Sequence, residues 1–269
     1  MKVRIFITIL CLLVLLAPVQ AYAGSISIYL PIHSARYSGL IDQLNERLTQ
    51  KQLSQFQFKA SDYWHPFQQG IRQGRDGVYL APPHFAAWAI HKHRFIPVAK
   101  LEGNLTYVIV ARKDDLSLFE IDDLNNRKVC SQAALNLDYL TLRQAFSNPL
   151  YSAETVIVAD VFQYLQEDNA ECEAFAISNH QFFELDAKSP DLYIRLQQGE
   201  TWPSYAFVSH PEVETISLLK LRNFLLTKDI QAALEPILKK FSESGSLSKA
   251  YLRDYPEQLK EILQTDWGE

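Results

Sequence analysis

The stretch SISIYL (residues 25–30) decides how the rest of the chain is interpreted. Polar and apolar residues alternate over these six positions, which predicts a strand with one face on the core. A helix is predicted next, over residues 34–51, with Ser34 as its N-cap and leucines every fourth residue on one face. The chain therefore begins with a β-α unit.

The same alternation continues through the next 150 residues. Strands are predicted at 56–59, 77–80, 105–111, 129–130, 156–158, 174–177 and 192–196, and helices from Pro66, at 85–91 and from Asp160. Three helical segments ending near Gln264 follow a last β-like run at 202–208. Strands that alternate with helices indicate parallel βαβ units and sheets covered on both faces. The predicted fold class is α/β, with mixed sheets flanked by helices.

Two βα series, separated by a long β-like run, predict two lobes. Lobe 1 would comprise residues 24–105 and 206–269, and lobe 2 residues 106–205. The chain would cross between them near 105–111 and again near 200–208, and these crossings would act as a hinge. A cleft between two lobes is the expected ligand site.

The N-terminus has the pattern of a secretory signal peptide. Lys2 and Arg4 precede an apolar run at 5–17, which is too short to span a bilayer, and Ala21-Tyr22-Ala23 fits a cleavage site. Residues 1–23 are therefore predicted to be removed on export to the periplasm. An uncleaved amphiphilic anchor is the alternative.

Composition and motifs exclude several function classes. With 26 Lys+Arg against 31 Asp+Glu the net charge is −5, so no basic surface for nucleic acid is indicated. There is no Gly-x-Ser-x-Gly elbow, Walker loop or dinucleotide fingerprint, and the sequence predicts neither an enzyme nor a cofactor. The paired acids at 114–115 and 122–123 are expected in solvated loops and helix starts.

Two cysteines remain after the predicted cleavage, Cys130 and Cys172. In an oxidising compartment an isolated pair is expected to form a disulfide, and adjacent strands would bring these two together. Two separately buried thiols are the alternative.

The order of motifs resembles the type 2 periplasmic solute-binding proteins, and within them the phosphonate/phosphite-binding family. Three stretches carry the resemblance: Asp-Gly-Val-Tyr-Leu-Ala-Pro at 76–82, Tyr-Val-Ile-Val-Ala-Arg-Lys-Asp at 107–114, and Ile-Asp-Asp-Leu at 121–124 with Lys-Val at 128–129. The resemblance covers most of the mature chain. It implies closure of two lobes around a small solute, and delivery of that solute to a membrane transporter.

The anion site that the resemblance implies is not retained. Phosphonate binders hold the ligand on a Ser-Thr-Ser turn at a helix N-terminus, where free N–H groups favour negative charge. The matching stretch, 134–139, has Leu135 and Leu137 in place of the serines, keeps Asn136 as a donor, and adds the negative charge of Asp138. A phosphonate ligand is therefore not expected.

Aromatic side chains near strand ends and crossings are expected to replace the anion site. The best candidates for cleft walls are Tyr63, Phe85 and Tyr205, each just beyond a strand. The wider set is Tyr37, Tyr63, Trp64, Phe85, Trp88, Tyr107, Trp202 and Tyr205. Such a cleft would take an apolar or aromatic ligand, for instance a lipid- or sterol-like molecule.

Histidines offer an alternative. His33, His65 and His84 each follow one of the first three strands and could together hold a transition metal, although no acidic partner or His-x-x-x-His pair supports a site. No metal is the main expectation. His65 and His84 are kept as candidate ligand contacts, together with Tyr37, Tyr63, Phe85, Asn136 and Tyr205.

The sequence thus predicts a periplasmic solute-binding protein that acts as a monomer with an inner-membrane transporter or sensor as partner. An accessory or sensor module that keeps the fold without transport is the alternative.

Overall fold

A computed structural model describes residues 25–132, 136–167 and 171–260, apart from the side chain of Trp64. The predicted signal peptide lies outside the described residues, as do Leu135 and residues 261–264 of the last predicted helical segment. No helix within the described ranges is both long and apolar enough to cross a bilayer.

Eleven strands and eight α-helices make up the described part of the chain. The strands are β1 (Ile26–Leu30), β2 (Phe56–Ala60), β3 (Val78–Ala81), β4 (Ile96–Leu101), β5 (Asn104–Arg112), β6 (Lys128–Ser131), β7 (Glu154–Ile157), β8 (Ala174–Ser178), β9 (Tyr193–Pro203), β10 (Ala206–Ser209) and β11 (Leu247–Lys249). The helices are α1 (Ser34–Gln50), α2 (Trp64–Arg72), α3 (Pro83–His93), α4 (Leu137–Ala145), α5 (Val161–Gln166), α6 (Asn179–Lys188), α7 (Thr215–Leu225) and α8 (Lys228–Leu238). The predicted α/β fold class is confirmed.

The strands form two mixed sheets. The six-stranded sheet has the order β11-β4-β10-β3-β1-β2, with β1 parallel to β2 and β3 and with β10 antiparallel to β3 and β4. The five-stranded sheet has the order β7-β6-β8-β5-β9, in which β6 is parallel to β7 and β8. The sheets use the same two portions of the chain as the predicted lobes, whose exact boundaries and hinge stay a prediction.

Helix α1 shows how the sequence pattern produces packing. Its buried residues are Tyr37, Ile41, Leu44 and Leu48, which recur at helical spacing and face the six-stranded sheet. The predicted N-cap was one residue late, because His33 holds the extended cap position and Ser34 is the first helical residue. The Ser34 N–H is satisfied from outside the helix, as described below.

The predicted disulfide is confirmed. Cys130 and Cys172 are bonded, with their Cα atoms 5.7 Å apart. Cys130 lies on β6, whose neighbour β8 begins two residues after Cys172. The bond therefore joins two elements that are already adjacent in the five-stranded sheet.

Candidate ligand-binding cleft

A cavity of about 860 Å³ lies between the two sheets. Its walls come from the ends of strands in both sheets and from the helices that follow them. From the six-stranded side the lining includes residues 31–33, 36–37 and 61–63, and from the five-stranded side it includes Ser178 and residues 157–163. The two chain crossings border it through Leu105, Tyr107 and Tyr205. A molecule in this cavity would contact both sheets at once.

Four of the seven predicted ligand contacts line the cavity: Tyr37, Tyr63, Asn136 and Tyr205. Tyr63 is 74% exposed and stands at the mouth, whereas Tyr205 is 7% exposed and lies deep beside the crossing. Tyr107, from the wider aromatic set, is half-buried and lines the cavity as well. The structure therefore brings these aromatic side chains together.

The other three predicted contacts lie elsewhere, which corrects the expectation that they form cleft walls. Phe85 and His84 are fully buried on α3, in ring contact with each other at 4.7 Å. Helix α3 is buried along almost its whole length, so a residue that follows a strand here enters the core. His65 is exposed on α2, and its Nε2 is 2.8 Å from the Gln69 amide nitrogen.

Two more aromatic residues from the wider set are also part of the core. Trp88 is buried with Phe85 on α3, and Trp202 packs against the apolar clusters of the six-stranded sheet. The side chain of Trp64 lies outside the described residues.

The three histidines do not assemble into a metal site. His33 is exposed in the cavity wall, while His65 and His84 lie outside the lining. In the described part of the chain, the group of three side chains with metal-ligand spacing is Asp76, His210 and Glu212, which does not line the cavity. The position of a histidine directly after a strand does not determine whether its side chain is exposed, buried in the core or part of the cavity wall.

Carboxylates of the chain itself occupy helix N-termini in the cavity wall. Asp62, two residues after the end of β2, accepts a hydrogen bond from the Ser34 N–H at the start of α1. Asp160 caps α5 by accepting from the Gln163 N–H at 3.1 Å. These N–H groups would otherwise attract an anionic ligand, because helix N-termini carry partial positive charge.

The third carboxylate, Asp138, is buried in the first turn of α4. It is 1% exposed, and its Oδ2 accepts a hydrogen bond from the Gln132 N–H at 2.6 Å. Burial raises the pKa of this carboxyl to about 6, although backbone N–H groups of Gln132 and Tyr139 oppose the shift. At neutral pH the cleft therefore contains a costly buried negative charge.

Tyr107 and Tyr205 lie close to this carboxyl. Their hydroxyls share a hydrogen bond, and burial together with the nearby Asp138 raises the pKa of both phenols well above the ordinary value. Both tyrosines thus stay neutral and offer aromatic faces and hydroxyls to the cavity.

Basic side chains line the mouth of the cavity. Lys240, two residues after α8, approaches Asp160 at the start of α5 at 3.9 Å, and Lys239 pairs with Glu235 at 2.7 Å. The exposed Arg36 guanidinium lies 5.6 Å from the centre of the Tyr37 ring. The positive charges are therefore at the solvent-facing rim, and the buried charge is negative.

His180 is half-buried in the wall formed by α6. Burial lowers its pKa, and its Nδ1 lies 3.0 Å from the Ser178 hydroxyl, which also caps the helix. The imidazole is therefore neutral at pH 7, and it adds a polar contact without charge.

Sequence reasoning missed the lining supplied by α5, α6 and α8. Phe162, His180 and Lys240 reach the cavity only because these helices pack beside it, and no local pattern marks them. Asp62 could have been found, because it is the third residue after a predicted strand that ends at the cleft.

The fold can be compared with those of known proteins. No protein-family model and no curated protein sequence matches the chain. Solved structures do match. PhnD1 from Prochlorococcus marinus (MIT 9301), in complex with methylphosphonate, has a TM-score of 0.69 at 12% identity, covering 91% of this chain and 99% of its own.

Two further structures are similar to the same extent. A binding protein component of an ABC phosphonate transporter from Pseudomonas aeruginosa gives a TM-score of 0.67 at 13% identity, covering 91% of this chain and 88% of its own. XAC2383 from Xanthomonas citri, bound to ATP, gives 0.65 at 14% identity, covering 91% and 98%. The fold is that of the type 2 periplasmic binding proteins.

The stretches that carry the resemblance fall at defined places in this fold. Residues 76–82 lead through β3 to the cap of α3, residues 107–114 belong to β5 and the turn after it, and residues 121–124 form a 3-10 helix before β6. These stretches are typical of strands and turns of this fold. Of their residues, Tyr107 alone lines the cavity.

Proposed function

We propose that this protein is an exported solute-binding protein that captures a small molecule in the cleft and presents it to a membrane transporter. Lobe 1 (24–105 and 206–269) and lobe 2 (106–205) would close on the ligand about the crossings near 105–111 and 200–208. The protein would act in the periplasm as a monomer, without catalysis or a cofactor.

The observation that carries the proposal is the cavity. Its volume of about 860 Å³ suits one small solute, and its lining draws on both sheets. A ligand there would stabilise the closed arrangement, because only in that arrangement could it contact both walls. An accessory module that had lost its solute site would not need this space.

We further propose that the ligand is not an oxyanion bound at a helix N-terminus. Methylphosphonate in the Prochlorococcus protein and ATP in the Xanthomonas protein are phosphorus oxyanions. Here Asp62, Asp138 and Asp160 accept from the backbone N–H groups at or beside three helix N-termini in the wall. An oxyanion that binds at these N–H groups would have to displace a carboxylate or lie next to its negative charge.

The apolar or aromatic ligand expected from the sequence remains the proposal. Tyr37, Tyr63, Tyr107 and Tyr205 offer flat surfaces in the wall, and Phe162 and Phe241 add to them. Aromatic side chains supply large contact areas to rings and alkyl chains.

A thermal-shift screen followed by calorimetry tests the proposal. The library would contain neutral apolar ring compounds, amines, alcohols, amino acids, aromatic acids, methylphosphonate and ATP. A ligand at 100 times its dissociation constant adds about 2.7 kcal/mol to the stability of the folded state. We expect a hit whose affinity falls about three- to tenfold in Tyr63→Ala, because one aromatic contact is lost.

Tyr151→Ala is the matched control. Tyr151 is a partly exposed tyrosine that does not line the cavity, so its removal should leave affinity unchanged. Equal loss in both variants, or no hit in the whole library, would contradict solute binding in the cleft and favour the interaction module.

A further inference from the structure

We propose that Asp138 makes the cleft selective for a positively charged ligand, an ammonium or guanidinium group carried on an aromatic or alkyl body. This inference rests on the proposed function and names the chemical class of its ligand. The inference is based on the buried carboxylate of Asp138, which lies next to tyrosines in the cavity wall.

Asp138 is a charge without a counter-charge. It is 1% exposed and lies in the cavity wall, yet no Lys, Arg or His forms an ion pair with it among the described residues. Its Oδ1 is buried and accepts no hydrogen bond in that part of the structure. Buried carboxylates are costly unless they are paired, so a ligand cation here would gain more than it would at the surface.

The surroundings suit a cation better than any other group. Tyr107 on β5 and Tyr205 before β10 both lie within electrostatic range of Asp138 and line the same cavity. The negative face of an aromatic ring attracts ammonium and guanidinium groups, and the attraction strengthens when water is excluded. An organic cation could therefore pair with the carboxylate and stack on the phenols.

The basic residues of the rim do not cancel this preference. Lys239, at the C-terminal end of α8, pairs with Glu235 of that helix, and Lys240 faces Asp160. Arg36 is exposed to solvent beside Tyr37. Water and salt screen charges at the mouth, whereas the field of a buried carboxylate is screened much less.

Matched probes that differ only in charge test the inference. Benzylamine, benzyl alcohol and benzoate, with the corresponding phenethyl and hexyl series, would be titrated into the protein by calorimetry at pH 7.5. We expect the amine of each series to bind most tightly and the carboxylate least. In Asp138→Asn the amine should bind about ten- to a hundredfold more weakly, while the alcohol changes little.

Asp191→Asn is the charge-matched control. Asp191 is an exposed acid from the same sheet region, paired with Lys113 outside the cavity, so its replacement removes one negative charge without altering the cleft. Amine affinity should stay at the wild-type value. Thermal unfolding would verify that both variants are folded.

Each outcome decides a different point. Tighter binding of alcohols or carboxylates than of amines would overturn the cation inference and leave solute binding intact. Unchanged amine affinity in Asp138→Asn would overturn the role of Asp138. Absence of binding by all nine probes would count against both the inference and the proposed function.

Discussion

The two sheets of this protein are stabilised in different ways. The largest fully buried side chains in the described structure, among them Trp88, Tyr255 and Phe207, all pack around the six-stranded sheet. The five-stranded sheet has smaller apolar clusters and carries the Cys130–Cys172 bond, and Asp138 is buried on α4, which packs against this sheet. The region with the smaller apolar clusters is thus the one that is cross-linked, which suggests that the bond offsets a weaker core.

Removing the bond tests this contrast most strongly. Cys130→Ala with Cys172→Ala opens a loop of 42 residues, which should lower the free energy of unfolding by about 4 kcal/mol on the chain-entropy estimate. Urea denaturation followed by circular dichroism would measure the loss.

Reduction provides the control for this variant. Dithiothreitol should destabilise the wild-type protein by a similar amount and leave the double alanine variant unchanged. Equal urea midpoints for the oxidised wild type and the variant would show that the smaller core needs no cross-link.

The fold class and the disulfide could both be predicted from the sequence. The alternation in β1, α1 and β2 reflects burial on one face, so local patterns were sufficient for the fold class. The cysteine pair followed from its compartment and from the neighbouring strands. The fold class thus follows from local patterns, and the disulfide follows from the count of cysteines and the order of the predicted strands.

The cleft was predicted only in part. Tyr63 and Phe85 both follow strands, yet one stands at the mouth and the other is buried in α3, because the orientation of each helix against its sheet decides which way a side chain points. Lys240 enters the cavity from the turn after α8, far in sequence from the other lining residues. Such contacts arise from tertiary packing and leave no local pattern.

Burial of the Asp138 carboxyl should lower the stability of the folded protein in a way that depends on pH. The folded pKa of Asp138 is about 6 against an ordinary value of 3.8. Between these values the folded state holds a proton that the unfolded state has lost, so stability falls as pH rises from about 4 to 6 and stays lower above. The shift corresponds to about 3 kcal/mol.

Asp138→Asn removes this titration. The variant should match the wild type near pH 3.5 and become more stable than it by up to about 3 kcal/mol at pH 8. Urea midpoints across the pH range would show the divergence. A gap between the two proteins that does not change with pH would mean that the carboxyl pays no desolvation cost.

The smallest expected effect is at the rim, where Lys240 and Asp160 approach each other across the cleft. Both side chains are about one-third exposed, at 30% and 35%, and their charged atoms are 3.9 Å apart. Solvent screens such pairs, so a double-mutant cycle of Lys240→Ala and Asp160→Asn should give a coupling of about 0.5 kcal/mol that disappears in 1 M salt. Lys239→Ala, at the neighbouring position and paired with Glu235 instead, should show no coupling to Asp160→Asn. A coupling above about 2 kcal/mol would mean that the rim is as well shielded from water as the buried Asp138. The contrast between charges that solvent screens at the rim and an unscreened carboxylate inside the cavity would then be wrong.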